Sequence, residues 1–174
     1  VLCVDGTTFS VADSQANAAY GYPGCARGLA GNPLLRACFV MDAASHLFIE
    51  AVRAGYREAS EQELGDLAIA LTAEPGVLFE LDRGYYSVDR LRTIIGTGAH
   101  ALCRVPRQVK LPVLKRLIDG SYLSFVRHNN ASRTAPRGSY DDDLLLRVIE
   151  YDIVDRKGER RSFRLVTTVT DHKL

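Results

Sequence analysis

Two short apolar runs constrain this chain more than anything else in it. Val1-Leu2-Cys3-Val4 and Val77-Leu78-Phe79-Glu80-Leu81 are each followed at once by an aspartate, Asp5 and Asp82. Runs this short and this apolar have the pattern of strands covered on both faces. After Asp5-Gly6 the first continues into the β-prone Thr7-Thr8-Phe9-Ser10-Val11. Open α/β sheets place ligands beside the carboxyl ends of their strands, so two such strands lying centrally and side by side bring both carboxylates to one spot. Carboxylates held close repel unless a cation compensates. Mg²⁺ does so with hard oxygen ligands and leaves positions open for water and phosphate. Two such ions about 4 Å apart serve phosphodiester cleavage. Taken by strand context alone, the same aspartates also read as ordinary turn or helix caps.

The rest of the chain supplies the partners of these strands. Residues 12–33, rich in Gly, Asn, Ala and Pro, read as a long loop, and loops of that length in compact domains usually serve a function. Strands are predicted at about 34–43 and 46–54. Ser60-Glu61-Gln62-Glu63 is a capping box that opens a helix with Leu64, Leu67, Ala68 and Leu71 on one face, stopped by Pro75-Gly76. Ser87 caps a second helix whose face is Leu91, Ile94 and Ile95, closed by Gly96 and Gly98. A strand follows from Ala99 to Val105. Beyond Pro106 the pattern turns to hairpins, with turns at Asp119-Gly120 and Lys157-Gly158 and alternation through Ile149, Tyr151 and Ile153, then Phe163, Leu165 and Thr167. The order is three strands, helix, strand, helix, strand, then an all-β segment. That is an α/β core over 1–105 with a mainly β segment over 106–174.

With 174 residues, 47% hydrophobic and 25% charged, the chain is long enough for one substantial core. Its net charge of +1 does not announce a nucleic-acid partner, but the charge is uneven. From Arg90 to Arg116 there are seven Lys/Arg and no Asp or Glu. Such a stripe can steer a phosphate backbone, and it also reads as an ordinary solvated face. Cys3, Cys25, Cys38 and Cys103 show no zinc spacing, and three of them sit in apolar runs as small hydrophobes, which fits a reducing cytoplasm. No apolar run reaches the ~20 residues that span a membrane. Asp141-Asp142-Asp143 reads as a solvated acidic loop, with cation binding the lesser reading, and the four histidines are scattered.

The residues around each aspartate carry a resemblance. Val4-Asp5-Gly6-Thr7-Thr8, Val11-Ala12-Asp13-Ser14-Gln15-Ala16-Asn17 and Tyr20-Gly21-Tyr22-Pro23-Gly24 together are similar to the first-aspartate block of bacterial insertion-sequence DDE transposases of the IS-four group. Leu81-Asp82-Arg83-Gly84-Tyr85-Tyr86-Ser87 resembles the second-aspartate block. Gly55-Tyr56-Arg57-Glu58, Arg104-Val105, Leu111-Pro112-Val113-Leu114 and Asp119-Gly120-Ser121-Tyr122-Leu123 follow in the family's order.

The resemblance implies a ribonuclease H-like mixed sheet with helices and a mainly β insertion toward the C-terminus. It implies a metal-dependent DNA transposase, with Asp5 and Asp82 as catalytic metal ligands for Mg²⁺ (or Mn²⁺), two ions in the complete site. Double-stranded DNA, at transposon ends and target, is the implied partner, met by Arg83, Tyr85, Arg104, Arg107 and Lys110; burial of Tyr85 as helix-entry packing is its other reading. A homodimer follows from the need to hold two DNA ends. The implied setting is a bacterial cytoplasm, acting on chromosomal DNA, with no membrane. The family's third acid, a glutamate in a Tyr-x2-Arg-x3-Glu-x6-Lys helix, has no match here, and Glu150 lies in an alternating strand. The chain therefore reads as a piece of a longer protein whose third acid lies beyond Leu174, inactive by itself. Two rival readings are an inactive remnant that at most binds DNA, and a ribonuclease H-like nuclease unconnected with transposition.

Overall fold

The computed structural model describes residues 1–25, 28–29, 31–127 and 143–173. They fall into two compact units, Val1–Ala73 and Glu74–Leu174. The expected order of elements is present, with short additions inside the long loop.

In the first unit, β1 (Leu2–Ser10) pairs antiparallel with β4 (Leu34–Asp42), and β4 with β5 (Phe48–Gly55). The helix α1 (Glu61–Thr72) packs on all three. Its start is fixed as the sequence requires: the Ser60 hydroxyl accepts from the Glu63 N–H at 3.2 Å, and the Glu63 carboxylate accepts from the Ser60 N–H at 2.7 Å. The buried face is rotated from the predicted one. Leu64, Gly65, Ala68 and Ile69 are buried, while Leu67 and Leu71 are exposed. Gly65 has no side chain to hold the helix off the strands, so the stripe that meets Val4, Cys38, Val40 and Val52 runs through it. Asp5 closes the apolar run but not the strand: it stands inside β1, opposite Phe39. Phe39 joins Phe9 and Phe48 in an aromatic row, with centroids 6.5 and 5.2 Å apart.

The long loop is built rather than slack. It holds a 3-10 turn at Asn17–Tyr20 and two-residue strands β2 (Gly24–Cys25) and β3 (Gly28–Leu29). Val11 N–H donates to the Pro33 carbonyl, Asn17 Nδ2 to the Ala12 carbonyl, and the Tyr22 hydroxyl to Asp13 at 2.7 Å. The Gly55-Tyr56-Arg57-Glu58 segment fastens it, since Tyr56 N–H donates to the Tyr20 carbonyl at 2.7 Å. Gly55 passes so close beneath that a Cβ there would lie 2.8 Å from the Tyr20 oxygen.

In the second unit the sheet is mixed. β6 (Leu78–Leu81) and β7 (His100–Arg104) are parallel and joined through α2 (Val88–Gly96). β8 (Lys115–Arg116), β9 (Tyr122–Val126), β10 (Leu144–Val154) and β11 (Arg160–Thr167) extend it antiparallel in the order β6-β7-β11-β10-β9-β8. Gly120 and Gly158 take φ of 84° and 80° in the turns, a conformation that suits glycine. Across Pro106 the pairing changes from parallel to antiparallel, and β11 hydrogen-bonds directly to β7. α2 buries Leu91 and Ile94 as predicted for its face, leaves Ile95 exposed, and buries Val88 in addition. Asp141, Asp142 and His128 lie outside the described residues; Asp143 stands 3.3 Å from Arg127. Among the described residues no helix is long and apolar enough to cross a membrane.

Gly55→Ala is expected to destabilise the chain by about 1–3 kcal/mol, the usual cost of overpacking. Urea unfolding of the two proteins measures it; equal midpoints would show that the loop is not clamped there.

Candidate functional site

Asp82 directly follows β6 and opens a 3-10 turn, Arg83–Tyr85, in which the Tyr85 N–H donates to its carbonyl at 2.9 Å. The turn is held from beneath. Arg90, on the first turn of α2, is 6% exposed, and its Nη1 donates to the Tyr85 carbonyl at 2.5 Å with the guanidinium 5.4 Å from the Tyr85 ring centre. The Ser87 hydroxyl caps α2 by accepting from the Arg90 N–H. The Asp82 side chain itself is 67% exposed. Its backbone is therefore fixed while its carboxylate faces solvent.

The parallel register sets Leu81 beside Cys103, so the next residues, Asp82 and Arg104, leave the strands together. Arg104 Nη1 is 4.0 Å from Asp82 Oδ1. On its other side the Arg104 guanidinium lies 4.8 Å from the ring centre of Phe163, which β11 brings in and which stacks on Tyr151 at 5.5 Å and 17°. Arg83, Arg104, Arg107 and Arg161 line a groove of about 790 Å³ around this stack, with Glu150 and Asp152 on the β10 side. The acids there are engaged: Glu150 accepts from the Tyr122 hydroxyl at 3.0 Å, and Asp152 is bound by Arg160 and by Ser162. Arg164 spends its donors on the carbonyls of Pro106, Arg107 and Val109, which holds the Arg107 segment against the groove. A groove with this excess of guanidinium and exposed aromatic surface suits a polyanion that carries flat rings.

The predicted residues thus separate. Arg83, Arg104 and Arg107 share one groove, and Asp82 stands beside it, 4.0 Å from Arg104. Lys110 lines a different, mainly apolar cavity of about 600 Å³ with Tyr86 and Phe125. Tyr85 is only 2% exposed, so it packs under the turn and offers no face for a base to stack on. Asp5 belongs to the first unit, exposed, with its Oδ1 accepting the Gly6 N–H at 2.9 Å. Both aspartates are accessible hard-oxygen donors, the ligand type that Mg²⁺ takes. Among the described residues no three His, Cys, Asp or Glu side chains cluster tightly enough to hold a metal unaided. Sequence reasoning missed Tyr151, Phe163 and Arg161. Their signal is the hairpin: Tyr151 pairs with Phe163 about the Lys157-Gly158 turn, and counting outward from that turn finds the pair.

The family model described as "Transposase DDE domain" matches residues 1–172. Among solved structures, the chain is similar to the piggyBac transposase in its synaptic complex with hairpin DNA, seen by cryo-EM, with TM-score 0.53 and 10% identity over 98% of this chain and 33% of that one. At that identity the likeness speaks for the fold, which is mixed α/β and ribonuclease H-like. The chain spans about a third of the length of that transposase chain. No curated protein sequence matches it.

Burial pushes the Cys103 thiol, 1% exposed behind the Asp82 turn, up to about 12. Iodoacetamide at pH 8 is expected to leave Cys103 unlabelled in the native chain and to label it once urea unfolds the chain. Because the folded value is raised, the thiol's contribution to stability is whole below the unfolded value of about 8.5. It is lost as pH rises from there toward about 12. Rapid native labelling would show that the turn opens readily.

Proposed function

The chain belongs to the transposase DDE domain family, and on that premise we propose that it works as the catalytic domain of a DNA transposase of the bacterial IS-four group. The observation that carries this reading is the pairing of Asp82 with an arginine-lined groove. A solvent-facing carboxylate on a braced turn stands next to guanidinium groups placed for a phosphate backbone.

In this reading Asp5 and Asp82 hold the divalent cations, Mg²⁺ or Mn²⁺, through exposed carboxylate oxygens. When bound, the ions supply activation of the attacking oxygen and neutralisation of charge on the leaving one. The protein's own task is placement. Arg83, Arg104 and Arg107 bind phosphates of double-stranded DNA and hold the scissile bond against the carboxylates. Water adds to the phosphorus at a transposon end and the 3′-oxygen leaves as a hydroxyl. That hydroxyl then attacks a target phosphodiester, exchanging one phosphodiester bond for another. Two chains hold the two DNA ends.

Asp5→Asn and Asp82→Asn should each abolish Mg²⁺-dependent cleavage, by at least about a hundredfold given the loss of a metal ligand. Circular dichroism should report an unchanged fold. Cleavage retained by either variant would remove that aspartate from the site. A strand-transfer assay on the wild type separates transposition from plain nuclease action: cutting without joining of 3′ ends would overturn the transposase reading.

A further inference from the structure

Arg104 stands between two anionic demands. Its guanidinium is 4.0 Å from Asp82 Oδ1, and it lines the groove with Arg83 and Arg107. The contact with Asp82 is weak by construction: it is long, and the side chains are 44% and 67% exposed, so solvent screens it. The other contact is of a different kind. Phe163 lies 4.8 Å beneath the guanidinium and is itself backed by Tyr151, so the aromatic seat keeps Arg104 in place whichever anion it faces. Asp82 has no second cation within ion-pair distance among the described residues. Arg83, next in sequence, and Arg107 have no acidic partner within that distance among them either.

We propose that Arg104 is shared between Asp82 and DNA phosphate, so that a divalent cation on Asp82 releases Arg104 to the DNA. The proposal rests on the reading of Asp82 as a metal ligand. A cation at the carboxylate removes the charge that draws the guanidinium and replaces it with a like charge. Arg104, still seated on Phe163, then has the groove's phosphate as its anion. By linkage the effect is reciprocal, and DNA in the groove tightens the hold of Asp82 on the cation. Arg104 is a positioning residue in this scheme. It touches the scaffold of the substrate and not the reacting bond.

The test is a double-mutant cycle on DNA affinity, read by fluorescence anisotropy with a labelled duplex. Without metal, in EDTA, Asp82→Asn is expected to bind about two- to fivefold tighter than wild type, the range that a screened ion pair spans. Arg104→Gln should bind more weakly, and the double variant should match Arg104→Gln. Added Ca²⁺ should tighten wild type by a similar factor and move neither variant beyond its general screening effect. If Asp82→Asn gains as much affinity in the Arg104→Gln background as in wild type, the gain is bulk electrostatics and the sharing of Arg104 is refuted. If the EDTA cycle is coupled as expected but Ca²⁺ leaves wild type unmoved, Asp82 is not a cation ligand, which overturns the metal release while Arg104 remains tied to Asp82. Phe163→Leu should reduce the coupling while circular dichroism shows the sheet intact.

Discussion

The pairing on which the candidate site depends is that of β6 with β7. Because the strands run parallel and Leu81 sits beside Cys103, their ends come out together, and Asp82 and Arg104 become neighbours without any contact being engineered between them. The register is secured from inside. Phe79, Leu81, Ala101 and Cys103 are buried, and a slip of β7 by one residue would turn Ala101 and Cys103 outward and send Arg104 to the opposite face. β7 then pairs on its other edge with β11, which delivers Phe163 under the arginine. One strand thus joins the carboxylate, the cation and the aromatic seat.

The turn beneath Asp82 shows how a fixed backbone and an exposed side chain are combined. Burying Arg90 is costly unless its donors are met. The Tyr85 carbonyl and ring meet it, and in doing so they brace the segment that presents Asp82. The Tyr85 ring is therefore occupied beneath the chain, and the exposed aromatic surface comes instead from Tyr151 on β10.

Much of this was legible in the sequence because it rests on local rules. The capping box at Ser60, the Ser87 cap and the glycines of the hairpin turns act within a few residues, and each stands where the sequence puts it. The Asp82-Arg83 neighbourhood was legible for the same reason. What could not be read depends on distant partners. The buried face of α1 was misplaced because Leu67 and Leu71 fit the helical period as well as Gly65 and Ile69 do, and only the strands beneath decide between them. Tyr85 has two readings, DNA contact and burial, because nothing near it in sequence announces that Arg90 folds back onto it; the structure shows the burial. Lys110 was grouped with Arg107 by proximity along the chain, whereas the path of the backbone takes it to another cavity. Phe163 needed the register of a hairpin and its pairing with β7, and no local signal supplies the second.

That last pairing has a bearing on how the chain reaches its native state. β6, α2 and β7 are close in sequence and can form early, but Phe163 is on a strand whose partner in β7 lies about sixty residues upstream, a long loop to close. During synthesis β7 leaves the ribosome well before β11, and for that interval its second edge is unpaired and open to the wrong strand. The groove beside Asp82 is in this sense a late product of folding. Substitutions in β11 far from the carboxylate then act first on yield and folding rate, and only afterwards on the groove.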